Sequence, residues 1–313
     1  MICLTLVPAA EGGWARQTSG TFAWLRAVHF VDKDHGWVGG SNGTLLTTSD
    51  GGSTWKRSRR FTDDSIRDVY FADRNRGWLL CSREFFQNGP RSYLLRTDNG
   101  GETWQRVNFD PETGRMQRLL FLTDGTGYAA GEGGTLWRLP ANEKDKFKAT
   151  LLPVQYLILG GSVLDANQLV LVGGGGTILF TINAGSEWTS ATMVEPHGGK
   201  LNSVYFTNPK NGWAVGDGGA VFYTNNGGKL WRRQNSGAAE DLLDVRFVDR
   251  STGFAVGDKG VILRFGDRGV WSREPAITAN RLERVFFVDG KGFAVGFGGE
   301  ILTYKPDGAV EGP

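Results

Sequence analysis

The chain is poor in the residues that carry most enzyme chemistry. In 313 residues there are two cysteines, three histidines and three methionines. Cys3 and Cys81 do not suggest a disulfide framework. His29, His35 and His197 stand apart, and no His/Cys/carboxylate cluster has metal-ligand spacing, so neither a metal nor a cofactor is expected. No run approaches the roughly 20 apolar residues of a membrane-spanning helix. No stretch of a dozen residues carries a helical apolar period. With 35 Lys and Arg against 33 Asp and Glu, the net charge of +2 gives no pull toward nucleic acid or an anionic membrane.

Glycine and tryptophan are what the chain has in quantity, 47 and 11 of them. Trp14, Trp55, Trp104, Trp188, Trp231 and Trp271 are spaced 41, 49, 84, 43 and 40 residues apart, and Phe147 fills the double gap. A second ladder runs in phase: Gly36-Trp37, Gly77-Trp78, Gly127-Tyr128, Gly212-Trp213, Gly253-Phe254 and Gly292-Phe293, with one gap near Val170. Two ladders in phase mean a repeat of about 40 residues.

One repeat shows what the unit is. Residues 201–206, 212–216, 220–224 and 230–233 are four short apolar runs, separated by turns rich in Gly, Asn and Asp. Four strands per 40 residues is a β-propeller blade. Inner strands are expected to begin near Leu25, Ile66, Met116, Tyr156, Leu201, Leu242 and Leu282, which makes seven blades. The seventh repeat stops at Lys305-Pro306 without its Trp-bearing strand, and that strand is present around Trp14. The expected fold is therefore an all-β, seven-bladed propeller whose N-terminal strand completes the last blade and removes its open edge. Residues 12–306 form that single domain, flanked by a signal-like or disordered segment at 1–11 and a disordered tail at 307–313.

Between the third and fourth strands lies a recurring turn. Thr48-Ser49-Asp50-Gly51-Gly52-Ser53-Thr54-Trp55 follows the Ser/Thr-x-Asp-x-Gly-x-Thr-Trp pattern of the Asp-box. Copies carry Asn99 with Trp104, Asn183 with Trp188 and Asn226 with Trp231. Their expected role is structural: the side-chain oxygen accepts turn N–H groups, and the Trp packs between blades.

The repeated Val-x-Phe-x-(Asp/Asn), Gly-(Trp/Phe)-Ala-Val-Gly, Gly-x-Ile-Leu and Asp-Gly-Gly-x-Thr-Trp elements resemble the photosystem II stability/assembly factor family, over residues 12–305. The resemblance implies a seven-bladed propeller without catalytic activity that holds a membrane-complex subunit during assembly, outside the cytoplasm or at the lumenal side of a membrane. Asp-box propellers also include sialidase-like glycosidases and carbohydrate-binding modules, which stand as the alternative.

Candidate contact residues come from charge. Residues 51–120 hold 12 arginines and one lysine against nine acidic residues. Arg57, Arg59, Arg60, Arg67 and Arg118 belong to this sector, as do Arg83 and Arg91, which flank Phe85-Phe86 in a blade-two insertion. Arg26, Arg67, Arg118 and Arg284, near inner-strand starts, are expected close to one mouth of the channel. Two readings stand: a solvated surface, or a basic patch for an acidic or C-terminal segment of a protein partner. The insertion is either a tolerated loop extension or a partner-binding finger. The protein is expected to be monomeric, and the apolar start at residues 1–10 is read either as the tail of a secretory signal or as a plain N-terminus.

Overall fold

Six of the seven blades are built around a clash that only glycine avoids. At the end of the inner strand a residue pairs with one at the start of the second strand. In six blades these are Phe30 with Gly36, Phe71 with Gly77, Phe121 with Gly127, Phe206 with Gly212, Phe247 with Gly253, and Phe287 with Gly292. The phenyl ring lies across the glycine: a Cβ at Gly77 would sit 2.5 Å from the Phe71 ring, and one at Gly253 2.7 Å from Phe247. Blade four breaks the pattern on both sides, pairing Val163 with Leu169. Without a ring overhead, no glycine is needed. That is the physical reason for the gap in the second ladder.

The computed structural model describes residues 13–83, 91–110, 113–141, 147–266 and 268–306. Seven sheets follow one another in order, each an antiparallel meander of four strands. Blade one comprises Leu25–Phe30, Gly36–Gly40, Leu45–Thr48 and Lys56–Arg57. The remaining inner strands are Ser65–Phe71, Met116–Phe121, Ile158–Val163, Leu201–Phe206, Leu242–Phe247 and Leu282–Val288. The fourth inner strand thus starts two residues later than the expected Tyr156, which lies exposed on the approach. The strand Gly13–Gln17 pairs antiparallel with Ile301–Lys305, so the N-terminus closes blade seven. Blade five gains a fifth strand, Thr192–Met193, which runs parallel to the outer strand Leu230–Gln234 and covers its edge.

Burial is shared between blades. Each of the seven apolar clusters draws on two neighbours: Trp14 with Phe254 and Leu302 spans blades six and seven, and Trp231 with Val170 and Phe206 spans blades four and five. Trp55 meets Phe293 of blade seven edge-on at 6.3 Å. Phe147 packs against the cluster that contains Leu80 and Trp137, in the place a tryptophan takes in other repeats. Among the described residues no helix is long and apolar enough to cross a membrane. The segments 1–12, 84–90, 142–146 and 307–313 lie outside the described residues, and with them Cys3, the Phe85-Phe86 pair and both terminal segments.

Strand direction sorts the loops onto two faces. Inner strands start on one face, where the second-to-third turns and the exits of the fourth strands also lie. The first-to-second turns and the Asp-boxes lie on the other.

Candidate functional site

Every inner strand carries a bulge near its start. The register shifts between Leu25 and Ala27, Ile66 and Asp68, Met116 and Arg118, Ile158 and Gly160, Leu201 and Ser203, Leu242 and Asp244, and Leu282 and Arg284. A bulge re-aims the extra side chain. Here the extra residues are Arg26, Arg67, Gln117, Leu159, Asn202, Leu243 and Glu283. All seven line one cavity of about 190 Å³, together with Trp24, Arg281 and Arg284. Since one residue comes from each blade, the cavity is a recess at the mouth of the propeller axis.

The recess is cationic. Four arginines line it, Arg26, Arg67, Arg281 and Arg284, against a single carboxylate, Glu283. Glu283 is already engaged: its Oε1 accepts the Trp24 indole N–H at 2.8 Å and the Arg281 Nε–H at 2.8 Å. Arg281 also donates to Asp258 at 2.8 Å. The Arg26 guanidinium lies 3.8 Å from the centroid of the Trp24 ring, a cation–π contact that fixes it at the rim. The Nε of Arg284 is buried and donates to no acceptor among the described residues. A buried donor without an acceptor is costly.

One pleat deeper the charges neutralise each other. Asp244 is fully buried and accepts from the Ser203 hydroxyl at 2.5 Å, the Val285 N–H at 3.1 Å and Arg246 at 3.3 Å, with Arg118 at 3.6 Å. Burial alone would raise its pKa. Arg246, Arg118 and Arg284 outweigh that, as does the Ser203 hydrogen bond, so the carboxyl stays below its ordinary value. Asp68 accepts the Leu119 N–H at 2.8 Å in the same manner. Each carboxylate thus ties its blade to the next. Deeper still, His29 packs between Tyr70 and Phe286, at 5.1 and 5.2 Å. Burial depresses its pKa to about 4, so it is neutral at pH 7.

The arginines singled out in the sequence divide between two settings. Arg26, Arg67 and Arg284 meet in the recess. Arg118 lies beneath them, 5% exposed, donating to the Leu159 carbonyl at 2.9 Å; burial, then the Arg284 charge, lower its pKa, and it remains protonated at pH 7. Arg57 lies on the outermost strand of blade one, and Arg59 and Arg60 on its exit, all exposed. Arg60 pairs with Asp63 at 2.6 Å. Arg83 donates its N–H to the Arg91 carbonyl at 3.0 Å at the base of the insertion, and Arg91 pairs with Glu132 at 3.5 Å. By strand direction Arg59, Arg60, Arg83 and Arg91 share the face of the recess. Sequence reasoning missed Trp24, Arg281, Glu283 and Asp244. The signal available was the column that follows the first apolar residue of each inner strand, where Arg, Arg, Gln, Leu, Asn, Leu and Glu succeed one another.

The Asp-boxes lie on the opposite face, and their side chains are occupied by their own turns. Asp50 accepts the Thr54 hydroxyl at 2.5 Å and the Thr54 N–H at 2.9 Å, which hold its pKa down at about 2. Asn99, Asn183 and Asn226 accept the corresponding N–H of Thr103, Glu187 and Leu230 at 3.0, 2.9 and 3.0 Å.

Comparison with known proteins bears on what this propeller serves. The family model described as photosynthesis system II assembly factor YCF48 matches residues 8–114, 111–219 and 197–266. The chain belongs to the YCF48 family. A curated YCF48 relative, the photosystem II assembly protein Ycf48 of Thermosynechococcus vestitus, is 26% identical over 319 residues, covering 96% of this chain and 87% of that protein. A solved structure of YCF48 bound to a D1 peptide superposes with a TM-score of 0.77 at 21% identity, covering 97% of this chain and all of the other. Virginiamycin B lyase from Staphylococcus aureus reaches the same TM-score at 11% identity, over 93% of this chain and 99% of its own. Likeness at such identities establishes the fold alone.

Proposed function

We propose that the chain is a non-catalytic assembly factor that works outside the cytoplasm and holds a subunit of a membrane complex by a carboxylate seated in the axial recess. The observation that carries the reading is the excess of arginine there: four guanidinium groups face a single glutamate that Trp24 and Arg281 already occupy. Arginine's planar fork suits a carboxylate, in an acidic side chain or at a chain end. Arg57, Arg59, Arg60, Arg83 and Arg91 add positive charge around it, which speeds encounter with an acidic segment. The D1 peptide bound by a YCF48 protein supports a peptide segment as the ligand class for this chain too.

The recess is poorly equipped for catalysis. Its lining residues include no His, Cys, Ser or Tyr, and the one carboxylate is committed to two donors. A sialidase-like site would bring a tyrosine nucleophile and an available acid to the same place. A screen on sialosides and β-glucans tests this directly: turnover that disappears in Glu283→Gln would replace the binding reading with an enzymatic one.

Partner capture tests the site. Arg26→Glu with Arg67→Glu should abolish pull-down of the partner at physiological salt while leaving the melting curve intact. Arg59→Glu with Arg60→Glu should mainly slow association and flatten its salt dependence. Full capture by the recess double variant would place the contact elsewhere.

A further inference from the structure

We infer that the segment seated in the recess carries a bulky apolar side chain next to its carboxylate, and that Phe22, Trp24 and Phe297 form the shelf that receives it. This rests on the recess being the anion site. Phe22, two residues before Trp24, is 95% exposed, and Phe297, which meets Trp24, is 52% exposed; Trp24 itself lines the recess. Phe297 meets Trp24 edge-on, with ring centroids 5.6 Å apart and an 82° interplanar angle. The Gly299 N–H donates to the Ala23 carbonyl at 2.8 Å, which straps residues 21–24 to the turn that carries Phe297. The Ala23 and Trp24 N–H groups are held by Thr21 and Ser41 at 3.1 and 3.0 Å. The backbone that carries the shelf is therefore tied down, which lessens the ordering left to lose on binding.

The repeat supplies its own control. The residues that correspond to Phe297 in the other blades are Ser41, Ser82, Glu132, Gly174, Asp217 and Asp258, none of them apolar and large. Among the described residues, Tyr156 is exposed at this height in blade four, but it does not line the recess; the Trp24–Phe297 pair stands in the seam between blades seven and one, beside Arg26 and Arg284. Aromatic residues adjoining arginine are the composition of binding hot spots. Charge complementarity names the occupant: a peptide segment whose carboxylate enters the recess, which the Arg118–Asp244–Arg246 layer closes below, while the neighbouring side chain lies back over the shelf.

The test uses fluorescein-labelled Gly-Ser octapeptides with a free terminal carboxylate and one Leu at the last, second-last or third-last position, beside all-Gly-Ser and C-terminally amidated versions. Fluorescence anisotropy is read on the full chain and on the Phe22→Ser, Phe297→Ser double variant, whose melting curve should match the parent. The best Leu peptide should bind the parent about tenfold tighter than the all-Gly-Ser acid. That preference should fall below about twofold on the double variant, while the loss caused by amidation persists on both. A Leu preference that is absent from the parent, or retained in the variant, overturns the shelf alone. Equal binding of acid and amide, or no binding of any acid peptide, overturns a terminal carboxylate in the recess and the shelf with it. A concentration-dependent dimer of the parent in sedimentation, lost in the variant, would assign the shelf to a second copy of the chain and overturn the peptide assignment.

Discussion

Single side chains in this propeller act chiefly as ties. Asp50 accepts three hydrogen bonds from its own Asp-box turn, two from Thr54 and one from the Thr48 hydroxyl at 2.7 Å. Asp50→Ala should cost roughly 1 kcal/mol, discounted for exposure. Asp50→Asn should be close to neutral at pH 7, because Asn99, Asn183 and Asn226 already do the same work with an amide; urea midpoints compare the two. His29 is a different kind of tie. Its Nε2 donates to the Phe71 carbonyl at 2.9 Å in the next blade, and burial holds its pKa at about 4 against 6.5 in the unfolded chain. The native state therefore binds fewer protons, so His29 supports stability fully above pH 6.5 and loses that support as the pH falls toward 4. The contribution is on the order of 3 kcal/mol. His29→Gln should be less stable than the parent at pH 7 and should show a smaller further loss by pH 4.5 in urea titrations.

At the scale of the element, the inner hairpin is set by the pairing of Phe with Gly. Filling the glycine overpacks the ring, so Gly253→Ala should cost about 1–3 kcal/mol. Trimming the ring removes the conflict. In a Phe247→Val, Gly253→Ala double mutant the loss should be smaller than the sum of the single losses by about 1 kcal/mol, measured by chemical denaturation. Strict additivity would mean that the ring does not exclude the methyl. Blade four already carries the alternative, Val163 opposite Leu169. The seven bulges also belong to this scale. They turn an unremarkable column of residues toward the axis, and that column holds both Arg26 and Arg67.

Closure belongs to the whole molecule. Gly13–Gln17 supplies the outer strand of blade seven, Trp14 fills the seam to blade six, and Arg16 binds Glu300 at 2.7 Å. Trp14→Ala should cost about 3–5 kcal/mol. Removing residues 1–17 should do more: it bares the Ile301–Lys305 edge, so a lower Tm should come with concentration-dependent association in size-exclusion runs. A truncated chain that stays monodisperse, with an unchanged Tm, would show that closure is not needed.

The period of the tryptophans and glycines, the turn chemistry of the Asp-boxes and the displaced strand at Trp14 are local patterns. They were enough to determine blade count, strand order and closure, because each repeat can bury its apolar face only against the next. The repeat elements also carried the family. Charge density pointed to the arginine sector, and inner-strand position put Arg26, Arg67, Arg118 and Arg284 near a mouth. What the sequence could not supply is which side chains converge. A bulge shifts register by one residue without changing composition, so Arg67 turned toward the axis while Arg118, one position further along its own strand, was buried beside Asp244. Glu283 and Trp24 are separated by 259 positions and meet only because the ring closes. Whether an arginine faces solvent, a recess or a buried carboxylate depends on seven strands meeting at one axis, and that is decided by tertiary packing.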